Sequence, residues 1–128
     1  MTRKYEFTGE TKIVVIDGMD VVVSRIRRLS DGVVGGWLEG EHNLSHDGVC
    51  WVYDDAVVAG RAVVKDSAWV MGTACVYDDA VVGEHGRVDG NSVVSHRATV
   101  RGFSHVSGGA VVCGRCDLSG FVHVNILS

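Results

Sequence analysis

The side chains that could do chemistry in this chain fall into four sets. Among six histidines, His105 and His123 lie eighteen residues apart, with His85 and His96 upstream, and imidazoles serve as general bases or zinc ligands. Cys113-x-x-Cys116 has the spacing of a redox pair or half of a zinc site, in a chain whose other cysteines are Cys50 and Cys75. Arg61, Asp79, Arg97 and Arg115 recur at the same eighteen-residue interval, with Asp78 and His96 adjacent, a charge ladder suited to an acidic partner or a phosphate. Trp51, Trp69 and Arg87 share that interval too, and an arginine over a tryptophan makes a cation–π contact.

The interval points to the elements that must position these groups. From Val52 an aliphatic residue returns every sixth position: Val58, Val64, Val70, Val76, Val82, Val88, Val94, Val100, Val106, Val112, Leu118 and Val124. Four residues after each comes a second residue, mostly small, as in Ala56, Ala62, Ala68, Ala74, Ala80, Gly86 and Ser92. Thirteen aliphatic residues in one register define a solenoid, and a period of six is that of a parallel β-helix. Alternation along each short strand sends Ala62 and Val64 inward and Val63 and Lys65 outward. Pairs such as Asp54-Asp55, Gly60-Arg61, Gly72-Thr73 and Gly90-Asn91 then turn the corners. Three hexads make a triangular coil, stacked on the next at about 4.8 Å, and residues 52–69, 70–87, 88–105 and 106–123 make four.

Outward columns follow from this register. The first face carries Trp51, Trp69, Arg87, His105 and His123, flanked by Tyr53 and Met71, an aromatic strip running into imidazoles. Such residues dominate protein-binding hot spots, and Trp51, Tyr53, Trp69, Met71, Arg87, His105 and His123 are the candidate partner-binding set. The alternative is that the N-terminal segment folds over the strip. The second face stacks Val57, Cys75, Val93 and Val111 beside Tyr77, an apolar surface that a monomer does not leave bare. Either the N-terminal hairpin or another subunit covers it, which makes these five the candidate oligomer interface of a dimer or trimer. The last corner stacks Ser67, His85, Phe103 and Phe121, where the phenylalanine pair suggests a further contact surface.

Residues 1–51 break the period. Ile13-Val14-Val15-Ile16 and Val21-Val22-Val23 flank Asp17-Gly18, a hairpin pattern, and Tyr5-Glu6-Phe7-Thr8 is read as a third strand. Arg25, Arg27 and Arg28 are expected on a solvated strand face. Leu38 and Leu44 are six apart but out of phase with Val52, so they belong to an irregular first coil followed by a two-residue insertion. The expected division is a β-rich cap over residues 1–36 and a solenoid over residues 37–128, in one structural domain.

The hexad pattern resembles the hexapeptide-repeat superfamily, of LpxA-like architecture, and that resemblance implies a left-handed helix. Gly35-Gly36-Trp37-Leu38, Asn43-Leu44-Ser45, Cys50-Trp51-Val52-Tyr53-Asp54 and Arg25-Ile26 further resemble the start of a YdcK-like group of phage and enterobacterial β-helix proteins. This second resemblance implies a fold and a phage or prophage origin, and it brings no catalytic residues. The fold expected is therefore all-β: a single-stranded, left-handed parallel β-helix of four to five coils with an N-terminal hairpin cap.

Against this frame the reactive residues lose most of their chemistry. Hexapeptide acyltransferases place a histidine beside an extruded loop, and Val52 to Val124 contains no insertion. A zinc site of the carbonic-anhydrase kind needs three nitrogens converging at about 2.0–2.1 Å; His105 and His123 stack, but His85 lies around a corner. The register puts Cys116 in an inward slot and Cys113 on an outer face, so they are read as ordinary buried or surface thiols. The Arg61 ladder is read as a solvated edge. Ice binding would require ranks of threonine, which no column has. A net charge of −4 gives no case for nucleic acid, and the absence of a long apolar run argues against a membrane span. Met1-Thr2-Arg3-Lys4 leads into polar residues, from which a cytoplasmic location is expected. The function expected is a non-enzymatic interaction module with a protein partner and no cofactor; the alternatives are a self-assembling scaffold and, least, an acyltransferase or zinc hydratase.

Overall fold

The computed structural model describes residues 3–126; Met1, Thr2, Leu127 and Ser128 lie outside it. The chain forms a parallel β-solenoid of about five turns preceded by antiparallel strands, with no α-helix among the described residues. Strand pairs repeat at the predicted interval: Trp51 with Trp69, Val57 with Cys75, Val63 with Val81. Each rung is only two residues long over most of the chain, so stability comes from stacking rather than from strand length.

The inward register is as read. Val52, Val58, Val64, Val70, Val76 and Val82 have no exposed surface, and neither do Ala56, Ala62, Ala68, Ala74 and Ala80. At every sixth position from Asp54 to Gly120 the backbone takes positive φ, through Asp54, Gly60, Asp66, Gly72, Asp78, Glu84, Gly90, His96, Gly102, Gly108, Gly114 and Gly120. This left-handed residue turns each corner, and its cost for a residue with a Cβ explains the run of glycines. The three corner aspartates also link coils. Asp54, Asp66 and Asp78 each accept a hydrogen bond from the amide eighteen residues on, those of Gly72, Glu84 and His96, at 2.9–3.2 Å.

The expected two-residue insertion is present. Leu38 pairs with Val58 and Leu44 with Val64, twenty residues apart, whereas Trp51 to Trp69 is eighteen. The extra residues therefore fall between Leu44 and Cys50.

The head differs from the sequence reading. Tyr5–Thr8 is not a separate strand: β1 runs unbroken from Tyr5 to Ile16 and pairs with β2, Met19–Arg28, across the Asp17-Gly18 turn. An irregularity between Phe7 and Thr11, where Gly9 has positive φ, absorbs two extra residues of β1 and lets the hairpin bend. β2 pairs antiparallel with β3, Val34–Leu38, and β3 pairs parallel with the rung Val57–Val58. The hairpin thus caps the N-terminal end by extending the sheet of the second face beyond β3. Its two faces do different work. Tyr5, Phe7 and Ile26 pack on the solenoid core, while Val14, Ile16, Val21 and Val23 lie against Trp37, Val57, Ala59, Cys75 and Tyr77 on the outside.

Gly35 and Gly36 make that junction sterically feasible. A Cβ on Gly36 would stand 2.5 Å from the Ala56 carbonyl oxygen and 2.6 Å from a Val52 methyl, and one on Gly35 would stand 2.7 Å from the Trp51 ring.

Candidate functional site

The expected partner-binding column is only partly on the surface. Trp51 is fully buried, which corrects its place in the candidate set. The Tyr5 ring meets it edge-on at 6.2 Å and the Arg28 guanidinium lies over it at 5.1 Å, so the head covers this rung. Tyr5 is fixed there by donating its hydroxyl proton to the Leu44 carbonyl at 2.7 Å and by stacking on His46 at 4.2 Å; burial holds its phenol well above the ordinary range. The basic cluster is also not simply solvated. Arg25 lies 4.9 Å from the Trp37 ring and Arg28 on Trp51, while Arg27 pairs with Glu6.

The candidate oligomer interface divides in two. The hairpin covers Val57 and partly covers Cys75 and Tyr77, so these are occupied within the chain. Burial, with Asp17 of the hairpin turn nearby, pushes the Cys75 thiol up to about 11. Val93 is half-buried and Val111 is 61% exposed, beyond the hairpin's reach.

Below Trp51 the first face opens. Trp69 meets Tyr53 edge-on at 6.2 Å, and the Arg87 guanidinium lies over the Trp69 ring at 4.8 Å. His105 stacks on His123 at 4.8 Å and is 2.8 Å from an Asp89 carboxylate oxygen, which orients the ring. Met71 is half-exposed beside them. Around the neighbouring corner His85, Phe103 and Phe121 stack face to face at 4.8 and 5.1 Å. Phe103 is 57% exposed and Phe121 84%, although each is a large apolar ring.

These two ladders are the walls of one groove. Its lining includes Trp69, Arg87 and His105 on one side and Ser67, His85 and Phe103 on the other, with Gly86 and Ser104 between, and its volume is about 540 Å³. Sequence reading found both walls but assigned them to separate surfaces. The signal was available: the columns are two residues apart, separated by one inward slot, and so must flank each other across it. The solenoid sets the rungs about one strand spacing apart, and flat side chains in consecutive rungs therefore stack.

The remaining chemical residues stay apart. No group of three or more histidine, cysteine, aspartate or glutamate side chains suited to a metal occurs among the described residues. Cys116 is exposed, which corrects its assignment as a buried inward residue: among the described residues no further complete coil stacks on its slot. Arg61 and Asp79 approach to 3.9 Å as a solvated pair beside a shallow recess formed with Asp78, His96 and Arg97. No helix among the described residues is long and apolar enough to cross a membrane. Compared with known proteins, the chain matches no family model and no curated protein sequence.

Proposed function

We propose that this protein is a non-enzymatic protein-interaction module whose solenoid is a rigid frame for the groove between Trp69, Arg87 and His105 and the His85, Phe103 and Phe121 ladder. The observation that carries this reading is that the groove gathers exposed aromatic rings with an arginine, the residue types that dominate binding hot spots, and the head leaves them uncovered. The rest of the first face supports it in a different way: Trp51 is used internally, so the surface column begins at Trp69. In keeping with the YdcK-like head motifs, we place the protein in a phage or prophage, acting in the host cytoplasm on a host factor or defence component.

Site-specific photo-crosslinking tests this. A photoreactive phenylalanine analogue replaces Phe103 in one version of the full chain and Lys65, beside the rung that pairs Val63 with Val81, in another. The expected result is a discrete adduct from position 103 that disappears with Trp69→Ala, together with direct binding between purified components. Equal adducts from both positions would remove the groove from the account.

A second reading, a self-assembling scaffold, rests on Val111, whose exposure leaves an apolar patch beside Val93. Light scattering separates the two: a concentration-independent dimer or trimer that Val93→Arg converts to monomer would favour the scaffold.

A further inference from the structure

We propose, resting on the groove reading above, that the groove takes an acidic segment of a partner protein, with an Asp or Glu carboxylate in the fork of Arg87 and an apolar side chain against His85 and Phe103.

The disposition of Arg87 carries the charge half of this inference. Its guanidinium carbon lies over the Trp69 ring, 4.8 Å from the ring centre. Its fork of N–H donors matches the two oxygens of a carboxylate. Among the described residues Arg3, Arg25, Arg27, Arg28, Arg61 and Arg101 each have a carboxylate partner. Arg87, Arg97 and Arg115 have none there; of these three Arg87 lines the groove, and the nearby Asp89 carboxylate is engaged by His105.

The ring ladder carries the other half. His85, Phe103 and Phe121 lie within 8° of parallel, so each ring covers the face of its neighbour and turns its edge outward. Ring edges carry the positive end of the aromatic quadrupole and tolerate both apolar groups and anions. A sugar needs an open ring face to stack on and finds few here. A nucleic acid would bring a continuous line of phosphates to a chain of net charge −4, with the Asp89 carboxylate already on His105 at the groove. An isolated carboxylate beside an apolar side chain suits one free arginine better.

The test is selection of a random twelve-residue peptide display library on the full chain, followed by titration of the synthesised winners. Trp69 is the partly exposed tryptophan, whereas Trp37 and Trp51 are buried, so its fluorescence reports groove occupancy. Winners enriched in Asp or Glu are expected, with binding weakened about tenfold by Arg87→Lys and about 30-fold by Arg87→Glu. Phe103→Ala is expected to weaken it about tenfold. These side chains are exposed, so the variants should melt with the parent. Winners that depend on Phe103 yet ignore Arg87→Glu, or that are enriched in Lys, would overturn the acidic occupant and leave the groove reading standing. No enrichment, binding indifferent to both positions, or tighter binding of a twelve-nucleotide thymidine strand would overturn both.

Discussion

Gly36→Ala should be among the most damaging single-methyl changes in this protein, and the reason is local. The added Cβ would stand 2.5 Å from the Ala56 carbonyl oxygen and 2.6 Å from a Val52 methyl, against an ordinary limit near 3.4 Å. Gly36 does not have positive φ, so the cost is steric and not dihedral. Backbone cannot yield as a flexible side chain does, and overpacking of this kind costs about 1–3 kcal/mol. The same shift strains the hydrogen bond from the Trp37 amide to that carbonyl, 2.9 Å long, whose loss adds about 1 kcal/mol. The expected total is about 3 kcal/mol, read as a lower urea midpoint with an unchanged slope. Gly40→Ala is the control: it also lacks positive φ, but its Cβ would meet only the exposed His42 ring, which can swing away at the cost of one solvent-exposed hydrogen bond to the Gly60 carbonyl. The control should change stability by less than about 0.5 kcal/mol. Because Gly36 joins the hairpin to the solenoid, its variant should also expose Cys75 to alkylation. Equal stability of the two variants would refute the close seating of β3 on the first full coil, and with it the account of how the head is held.

Other consequences are as direct. Ala80→Leu inserts three carbons between the buried Ala62 and Ala98 and should cost about 3 kcal/mol; a melting temperature within about 2 °C of the parent would contradict the inward register. Ser104→Ala should stabilise by about 1 kcal/mol, since the buried Ser104 hydroxyl has no partner; a loss measured by urea unfolding would show that the hydroxyl is used. Cys113 and Cys116 should react with iodoacetamide at pH 8 well before Cys50 and Cys75, because burial raises the pKa of both of the latter. A raised pKa favours the neutral thiol in the fold. The stability that Cys75 contributes is therefore complete below the unfolded value near 9 and is lost as pH rises toward about 11, so Cys75→Ala should flatten part of the alkaline decline.

The amino-acid sequence alone determined the solenoid. Each hexad specifies an inward aliphatic residue, an inward small residue and a corner that accepts positive φ, all through interactions within a few residues or with the rung eighteen away. Such a code is local and repeated, so Val64, Ala80 and Gly90 declare their places without knowledge of anything distant. The insertion after Leu44 was legible for the same reason, as a break in phase. The walls of the groove were legible as columns, but their joining across the Gly86 slot required the corner angle. What only the tertiary structure decided lies in the head. Whether Tyr5 covers Trp51, and whether Val14 and Val21 turn back over Val57 and Cys75, depends on the bend near Gly9 and on which face of a two-faced hairpin meets which apolar surface. Both hairpin faces are apolar: Ile13 and Val15 remain more than 60% exposed while Val14 and Ile16 are packed. Alternation alone is symmetric between those choices, and only the packing of the whole chain breaks the symmetry.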